Sequence, residues 1–398
     1  MDFQHTEEQR LLADSVGRLL ERSYGFEARK AIVSSSDGFS AAVWRDLASM
    51  GLLSVPFAAE DGGFGGGAID LVAPMQALGA ALLVEPFAST LAPAGRLVAL
   101  LGTSAQRAAL VPRIVDGSAK LAFAHLETLL GRSLDAVATT ATPVAGGGWR
   151  LAGEKRMVLH APMADALVVT ARIADGPGHD DGVGAFVVDA RRSGVSMKTF
   201  RTVDDLRAAD VAFRDVALEG DARLGDGRDA RAAIEEAVDF AAALGCAEAV
   251  GALDSANQAT LEYLKTRRQF GVPIGSFQAL QHRMVDMTIH AEQARSITLL
   301  ACAKVDAAAR GEIDAAERAR IVSAAKVLVG TACRHVGQEA IQLHGGMGMT
   351  VEMKISHTFK RLTMLAQQFG DVDHHLERFA TADAAAASAA ALQAKSAL

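Results

Sequence analysis

Ala166-Leu167-Val168-Val169-Thr170, Gly184-Ala185-Phe186-Val187-Val188 and Asp210-Val211-Ala212-Phe213 are the three runs on which the fold turns. Each is short and apolar, and β-branched or aromatic residues recur in all three. Turn formers separate them: Gly146-Gly147-Gly148, Asp175-Gly176-Pro177-Gly178 and Asp180-Asp181-Gly182. That pattern reads as an antiparallel β module of about 100 residues, the size of a small barrel or sandwich.

On both sides of the module the texture is helical. Thr6 followed by Gln9 is a capping-box start, and Leu11, Leu12, Val16, Leu19 and Leu20 form an apolar stripe behind it. Ser40 caps a helix carrying Val43, Trp44 and Leu47, which Gly51 ends, and Ser104 caps another that runs to Val115 and stops at Gly117. The glycines of Gly62-Gly63-Phe64-Gly65-Gly66-Gly67 precede a helix starting near Ala68. They read as a tight turn, or as a phosphate cradle with open amides, and the missing strand before them favours the turn. Beyond Gly225, amphipathic segments at 228–266, 276–309, 313–343 and 357–383 predict a four-helix bundle. The expected organisation is mainly α with a β module: an N-terminal α-helical domain over 1–117, a middle antiparallel β domain over 118–224, a C-terminal four-helix bundle over 225–384 and an Ala-rich tail over 385–398.

Composition bounds the function. Of 398 residues, 50% are hydrophobic but only 5% aromatic, which favours closely packed helices over an aromatic-rich sandwich. A net charge of −7 argues against a nucleic-acid surface. Cys246, Cys302 and Cys333 lack CxxC spacing, so neither a disulfide framework nor a structural zinc site is expected. Met1-Asp2-Phe3-Gln4 does not open like a signal peptide, and no apolar run reaches the roughly 18–20 residues of a membrane span. A cytoplasmic protein is the expectation.

Two segments on the predicted bundle carry more. One is Leu264-Lys265-Thr266-Arg267-Arg268-Gln269-Phe270-Gly271-Val272-Pro273-Ile274, with Phe277-Gln278 after it; the other is Gln342-Leu343-His344-Gly345-Gly346-Met347-Gly348-Met349-Thr350-Val351-Glu352. Together they resemble the two C-terminal signatures of the acyl-CoA dehydrogenase family, whose three-module order also matches. Within it, Met1-Asp2-Phe3, Tyr24-Gly25-Phe26-Glu27 and Phe359-Lys360-Arg361-Leu362-Thr363 resemble the small-subunit branch typified by pimeloyl-CoA dehydrogenase.

The chemistry follows from what the resemblance implies. Oxidising an acyl thioester at Cα–Cβ needs a base for the α-proton and an acceptor for the β-hydride. No side chain accepts hydride, and the family uses FAD, at N5. Glu352, seven residues after Gly345, stands where the family has its catalytic base. Enclosure in an apolar pocket would raise the pKa of such a carboxylate. Alternatively, Glu352 is a solvated glutamate near a helix start. In the family, the N–H of the base and a flavin hydroxyl polarise the thioester carbonyl. By the same resemblance Arg267 neutralises the FAD pyrophosphate of a neighbouring subunit, Gln269, Phe270 and Gln278 complete that signature, and Gln342 with Gly345 and Gly346 contacts the adenosine half. Relatives that carry the base on an earlier helix would have it at Ala241, which cannot accept a proton; Glu235, Glu236 and Asp239 are nearby, but Asp239, two positions away, faces another side.

The match thins in the β module. The family's Thr-Glu-Pro loop reads Leu126-Glu127-Thr128, and its Trp-Ile-Thr strand reads Met157-Val158-Leu159, so both ring-binding hydroxyls and the tryptophan are absent. Arg361 also replaces a common Asp. Asp371, Asp373, His374 and His375 could suggest a metal, but adjacent residues rarely share one ion, and none is expected. His344 reads as a packed histidine or as a proton relay. The implied partners are an acyl-CoA substrate, an electron-transfer flavoprotein, and either further copies of the chain or a homologous large subunit. A non-catalytic partner subunit that completes another chain's flavin site is the rival reading.

Overall fold

Several helix starts are set by side chains that satisfy the first free amides. The computed structural model describes residues 6–128, 137–174, 182–227 and 229–382; Met1-Asp2-Phe3, most of the two aspartate-glycine turns and the Ala-rich tail lie outside them. Helix α1 (Glu7–Ser23) starts at Thr6, whose hydroxyl accepts the Gln9 amide at 3.2 Å while Gln9 Oε1 accepts the Thr6 amide at 2.9 Å. Helices α2 (Phe26–Ser34) and α3 (Ala41–Ser49) follow, α3 capped by Ser40 as expected. Next come α4 (Ala68–Ala81), then α5 (Phe87–Ser89), which continues through a π-type stretch at Thr90–Gly95 into α6 (Arg96–Leu101), and α7 (Ser104–Val115). The cap of α7 corrects the sequence reading by one residue. Thr103 accepts the Gln106 amide, and Ser104 is already helical.

Strands β1 (Leu121–Ala124), β2 (Thr140–Pro143), β3 (Trp149–Leu159), β4 (Ala166–Ile173), β5 (Val183–Asp189), β6 (Val195–Arg201) and β7 (Arg207–Leu218) form one sheet in the order β1-β4-β2-β3-β7-β6, with β5 also on β4. The sheet is mainly antiparallel, but β1 and β2 run parallel to β4. Leu167, Val169 and Ala171 alternate onto one face and pack with Phe186, Val188 and Val211.

Helices α8 (Arg231–Thr266), α9 (Gln278–Ala309), α10 (Ala315–His344) and α11 (Lys354–Gln367) follow, with a small hairpin of β8 (Arg268–Gln269) and β9 (Val272–Pro273) after α8. The fourth expected bundle segment is two helices, α11 and a helix over 372–382. Phe369 and Gly370 break it with φ of 57° and 120°. Lys326 Nζ donates to the Leu365 and Gln368 carbonyls at the end of α11, at 2.9 and 2.7 Å.

The chain forms two compact units. One comprises Met1–Arg29, Gly67–Leu83 and Asp239–Leu398; the other comprises Lys30–Gly66 and Val84–Val238. In the first, α4 lies against α8 backbone to backbone. A Cβ at Gly251 would overlap the Gln76 carbonyl, and one at Gly79 the Glu248 carbonyl. Small residues permit that approach, which is what the alanine-rich composition accomplishes. The amides of Ala68 and Ile69, which open α4, donate to the Asp306 carboxylate at 2.7 and 2.9 Å. A protein carboxylate thus fills the anion end of α4, and the glycines before it form a turn rather than a phosphate cradle. No described helix is long and apolar enough to cross a membrane.

Candidate active site

Three helix ends meet at one end of the bundle. The Tyr263 ring near the end of α8 stacks on His344 at the end of α10, with centroids 4.4 Å apart. Arg283 near the start of α9 pairs with Glu339 of α10. Everything that leaves these ends is therefore presented together: Arg267 and the β8–β9 hairpin, Gln278, and the turn at Gly345–Met349 that leads to Glu352.

The hairpin is closed by the Ile274 amide on the Arg267 carbonyl at 2.8 Å. Phe270 and Gly271 have φ of 52° and 82°, the pair of positive values that a two-residue hairpin turn requires. A phenylalanine rarely adopts that conformation, and this one is 91% exposed, touching Phe277 edge-on. Gln269, Gln278 and Gln342 are exposed too. The Arg267 guanidinium is exposed and makes no ion pair or hydrogen bond among the described residues. Gly345 has φ of 60°, and a Cβ at Gly345 or Gly346 would meet nothing within 4 Å. The residues nominated from the two signatures thus share one end of the bundle.

His344 belongs to the packing. Its Nδ1 lies 2.8 Å from the Ala340 carbonyl, and burial pushes its pKa down. Of the cluster considered for a metal, His375 is buried with Nδ1 3.2 Å from Ser323 Oγ and Nε2 3.0 Å from the Phe369 carbonyl, while Asp371 accepts the His374 amide at 2.9 Å.

Glu352 sits in the short link before α11. It is exposed, so the apolar enclosure expected around it is absent from the chain taken alone. Neither its carboxylate nor its amide N–H finds a partner among the described residues. The preceding carbonyl is held, because His357 Nε2 lies 3.1 Å from Val351 O. Of the carboxylates on this stretch of α8, Asp239 and Glu248 are committed to arginines and Glu236 pairs with Arg96, whereas Glu235 is exposed and without a partner among the described residues. Asp239 is fully buried and accepts from Arg318 Nε at 2.9 Å and Arg378 Nη2 at 3.0 Å. Glu248 accepts from Arg361 Nε at 2.7 Å, so the arginine that replaces a common Asp has a buried partner. Ala241 is itself buried.

In the sheet-bearing unit the two altered loops are joined. The Arg156 amide donates to the Leu126 carbonyl at 2.6 Å. Met157 has φ of 52° within a bulge of β3, and its amide donates to Asp210 at 3.1 Å. Beneath them lies a network the sequence reading missed. Lys155 Nζ, fully buried, donates to Glu127 Oε1 at 2.7 Å, the His125 carbonyl at 3.1 Å and Thr170 Oγ1 at 3.2 Å. Glu127 also accepts the amides of Ala138 and Thr139, at 2.6 and 2.9 Å. Burial pushes the Lys155 pKa down to about 8, against the pull of Glu127. Burial would raise that of Glu127, but Lys155 and Thr139 hold it below the usual range. Burial, aided by the Lys155 charge and opposed by Glu127, takes His125 down to about 4. With 28 residues between Lys155 and Glu127, no sequence spacing signals the pair.

Three family models match in succession: the acyl-CoA dehydrogenase N-terminal domain at 6–118, middle domain at 122–216 and C-terminal domain at 229–392. Acyl-CoA dehydrogenase FadE12 of Mycobacterium tuberculosis is 30% identical over 81% of this chain and 83% of its own. The caffeyl-CoA reductase-Etf complex subunit CarC of Acetobacterium woodii is 27% identical over 82% and 86%. Among solved structures, a variant of the Tcur3481-Tcur3483 steroid ACAD is similar with a TM-score of 0.84 at 29% identity, over 96% of this chain and 99% of that one. PigA with FAD and proline gives 0.85 at 26%, over 96% and 98%.

Proposed function

Since this chain belongs to the acyl-CoA dehydrogenase family, we propose that it oxidises an acyl-CoA thioester at Cα–Cβ to the 2-enoyl-CoA, with Glu352 as the base. The observation that carries this reading is the state of the carboxylates. Asp239 and Glu248 are each neutralised by buried guanidinium groups, whereas Glu352 has no partner among the described residues. A carboxylate already committed to an arginine is a poor proton acceptor. Glu352 is free to take the α-proton, and an acyl chain covering it would provide the apolar surroundings that strengthen a base.

The end of the bundle fits FAD by its donor set. Arg267 offers an uncommitted guanidinium to a pyrophosphate, Gly345 and Gly346 leave room where side chains would stand, and Gln269, Phe270, Gln278 and Gln342 are exposed at the same end. When bound, FAD supplies the acceptor for the β-hydride and passes electrons to an electron-transfer flavoprotein, a reading that CarC's place in an Etf complex supports.

A second reading is favoured by one specific contrast. The arginine that would serve a neighbour's flavin is kept, while Leu126 and Leu159 stand where ring-binding hydroxyls are usual. Each lost hydrogen bond is worth about 0.5–1.5 kcal/mol, so two weaken flavin affinity about five- to 150-fold. The exposed Phe270, Phe277, Met347 and Met349 at this end of the bundle suit burial against another subunit. On this reading the chain reaches full activity beside a homologous partner, in the cytoplasm. The test is to purify the chain alone, measure FAD per subunit, and assay straight, branched and dicarboxylic acyl-CoAs with an artificial acceptor. One FAD per chain with robust turnover supports a self-sufficient homo-oligomer and removes the heteromer. Turnover of no acyl thioester, with or without a partner, removes the dehydrogenase.

A further inference from the structure

We propose that His357 is a positioning residue that sets the Val351–Glu352 peptide, so that the Glu352 N–H is presented as a ready-made donor to the thioester carbonyl. The proposal rests on the Glu352 reading and adds to it a device that neither family signature contains.

Two contacts set the hydrogen-bond roles of the His357 ring. Arg29 is 2% exposed; its Nε donates to the Leu82 carbonyl at 2.7 Å and its Nη1 lies 3.4 Å from His357 Nδ1. A guanidinium can only donate, so Nδ1 must be the acceptor and the ring proton resides on Nε2. That Nε2–H donates to Val351 O at 3.1 Å. The ring itself cannot turn freely, because Phe26 packs edge-on against it with centroids 5.1 Å apart. The relay runs Leu82 carbonyl, Arg29, His357, Val351 carbonyl. A second tie follows two residues past Glu352, where Lys354 Nζ donates to the Ala80 carbonyl at 2.6 Å. Both cations thereby sit on carbonyls at the C-terminal end of α4, the end that favours positive charge.

The consequence lies in the peptide. Val351 O and the Glu352 N–H belong to one planar trans unit and point in opposite directions. Holding the oxygen therefore aims the N–H. A hydrogen bond to an amide oxygen also polarises the amide and strengthens its N–H as a donor. Among the described residues nothing accepts that N–H. A fixed carbonyl paired with an unsatisfied amide is the arrangement that stabilises charge developing on a substrate carbonyl oxygen, without reorganisation at the moment of reaction.

The test uses the FAD-loaded enzyme with its partner subunit if it has one. Variants His357→Gln and His357→Phe are compared, since glutamine can still donate to Val351 O and phenylalanine cannot. Dehydrogenation by His357→Phe should fall about tenfold or more in kcat with KM nearly unchanged, while His357→Gln retains most of the rate. Hydrogen exchange of the segment 349–355 should accelerate in the phenylalanine variant alone. In a Glu352→Gln background, which removes the base but keeps the N–H, the carbonyl stretch of a bound 13C-labelled acyl-CoA should shift upward when His357→Phe is added. That vibrational readout judges His357 even if Glu352→Gln turns over normally and the base assignment fails. Equal rates in all three proteins, or equal damage by glutamine and phenylalanine, would overturn the proposal. Should the phenylalanine variant not fold, the 15N shifts of His357 in the wild-type enzyme decide: protonated Nε2 with bare Nδ1 supports it, and the opposite tautomer overturns it.

Discussion

Arg361 donates from Nε to Glu248 Oε1 at 2.7 Å with both side chains buried, tying α11 to the middle of α8. Breaking such a pair leaves an uncompensated charge inside the protein, which costs about 3–5 kcal/mol. Replacing both partners by apolar groups removes the charge problem. Arg361→Met should therefore destabilise the chain more than the double variant Glu248→Met/Arg361→Met in urea unfolding. If the double variant lost as much as the two single losses combined, the pair would not be a coupled unit.

Acid should loosen the fold through its buried histidines. Burial, with Lys326 nearby, takes His375 down to about 3, and His125 lies at about 4. Unfolded, both return to about 6.5, so between these values the unfolded chain binds protons that the folded chain refuses. Stability is thus fully present above about 6.5 and is lost as pH falls. From pH 7.5 to 5.5 each histidine should remove about 1.4 kcal/mol from the unit that contains it. Urea titrations at these two pH values check the slope, and His375→Gln should flatten it in the bundle-bearing unit; an unchanged slope would reject the assignment.

The clamp at the bundle end should couple flavin retention to assembly. Arg267→Ala removes a charge-assisted contact and should lower FAD occupancy. Phe270→Gly suits the positive φ better than the native residue, so folding should be preserved. It also removes an exposed aromatic anchor, which should weaken assembly by about 2 kcal/mol, or about thirtyfold. Sedimentation of FAD-loaded protein across a concentration series measures both. Full occupancy in a stably monomeric Arg267→Ala protein would contradict the coupling.

Periodicity made the helices and strands legible, and the two signatures are where the sequence itself points to the candidate residues. Local ambiguity misplaced small features. Thr103 and Ser104 are both competent caps, and an aromatic such as Phe369 gives no warning that it will adopt a positive φ. The tertiary pairs were out of reach for a different reason. Arg361 and Glu248 are 113 residues apart and Arg29 and His357 are 328 apart, and no spacing rule spans such distances. Lys155 was missed because a lysine in an alternating strand reads as solvent-facing, whereas here it is fully buried.

On the proposed function, Glu352 takes the α-proton. Glu352→Gln keeps the size and the backbone of the loop but abolishes the base, so the FAD-loaded variant should fold and hold flavin like the native enzyme. Mixed anaerobically with an acyl-CoA that the native enzyme turns over, it should lose flavin absorbance at least about a hundredfold more slowly. Bleaching at the native rate would remove Glu352 from the mechanism and, with Asp239 and Glu248 already committed to arginines, contradict the account of this site.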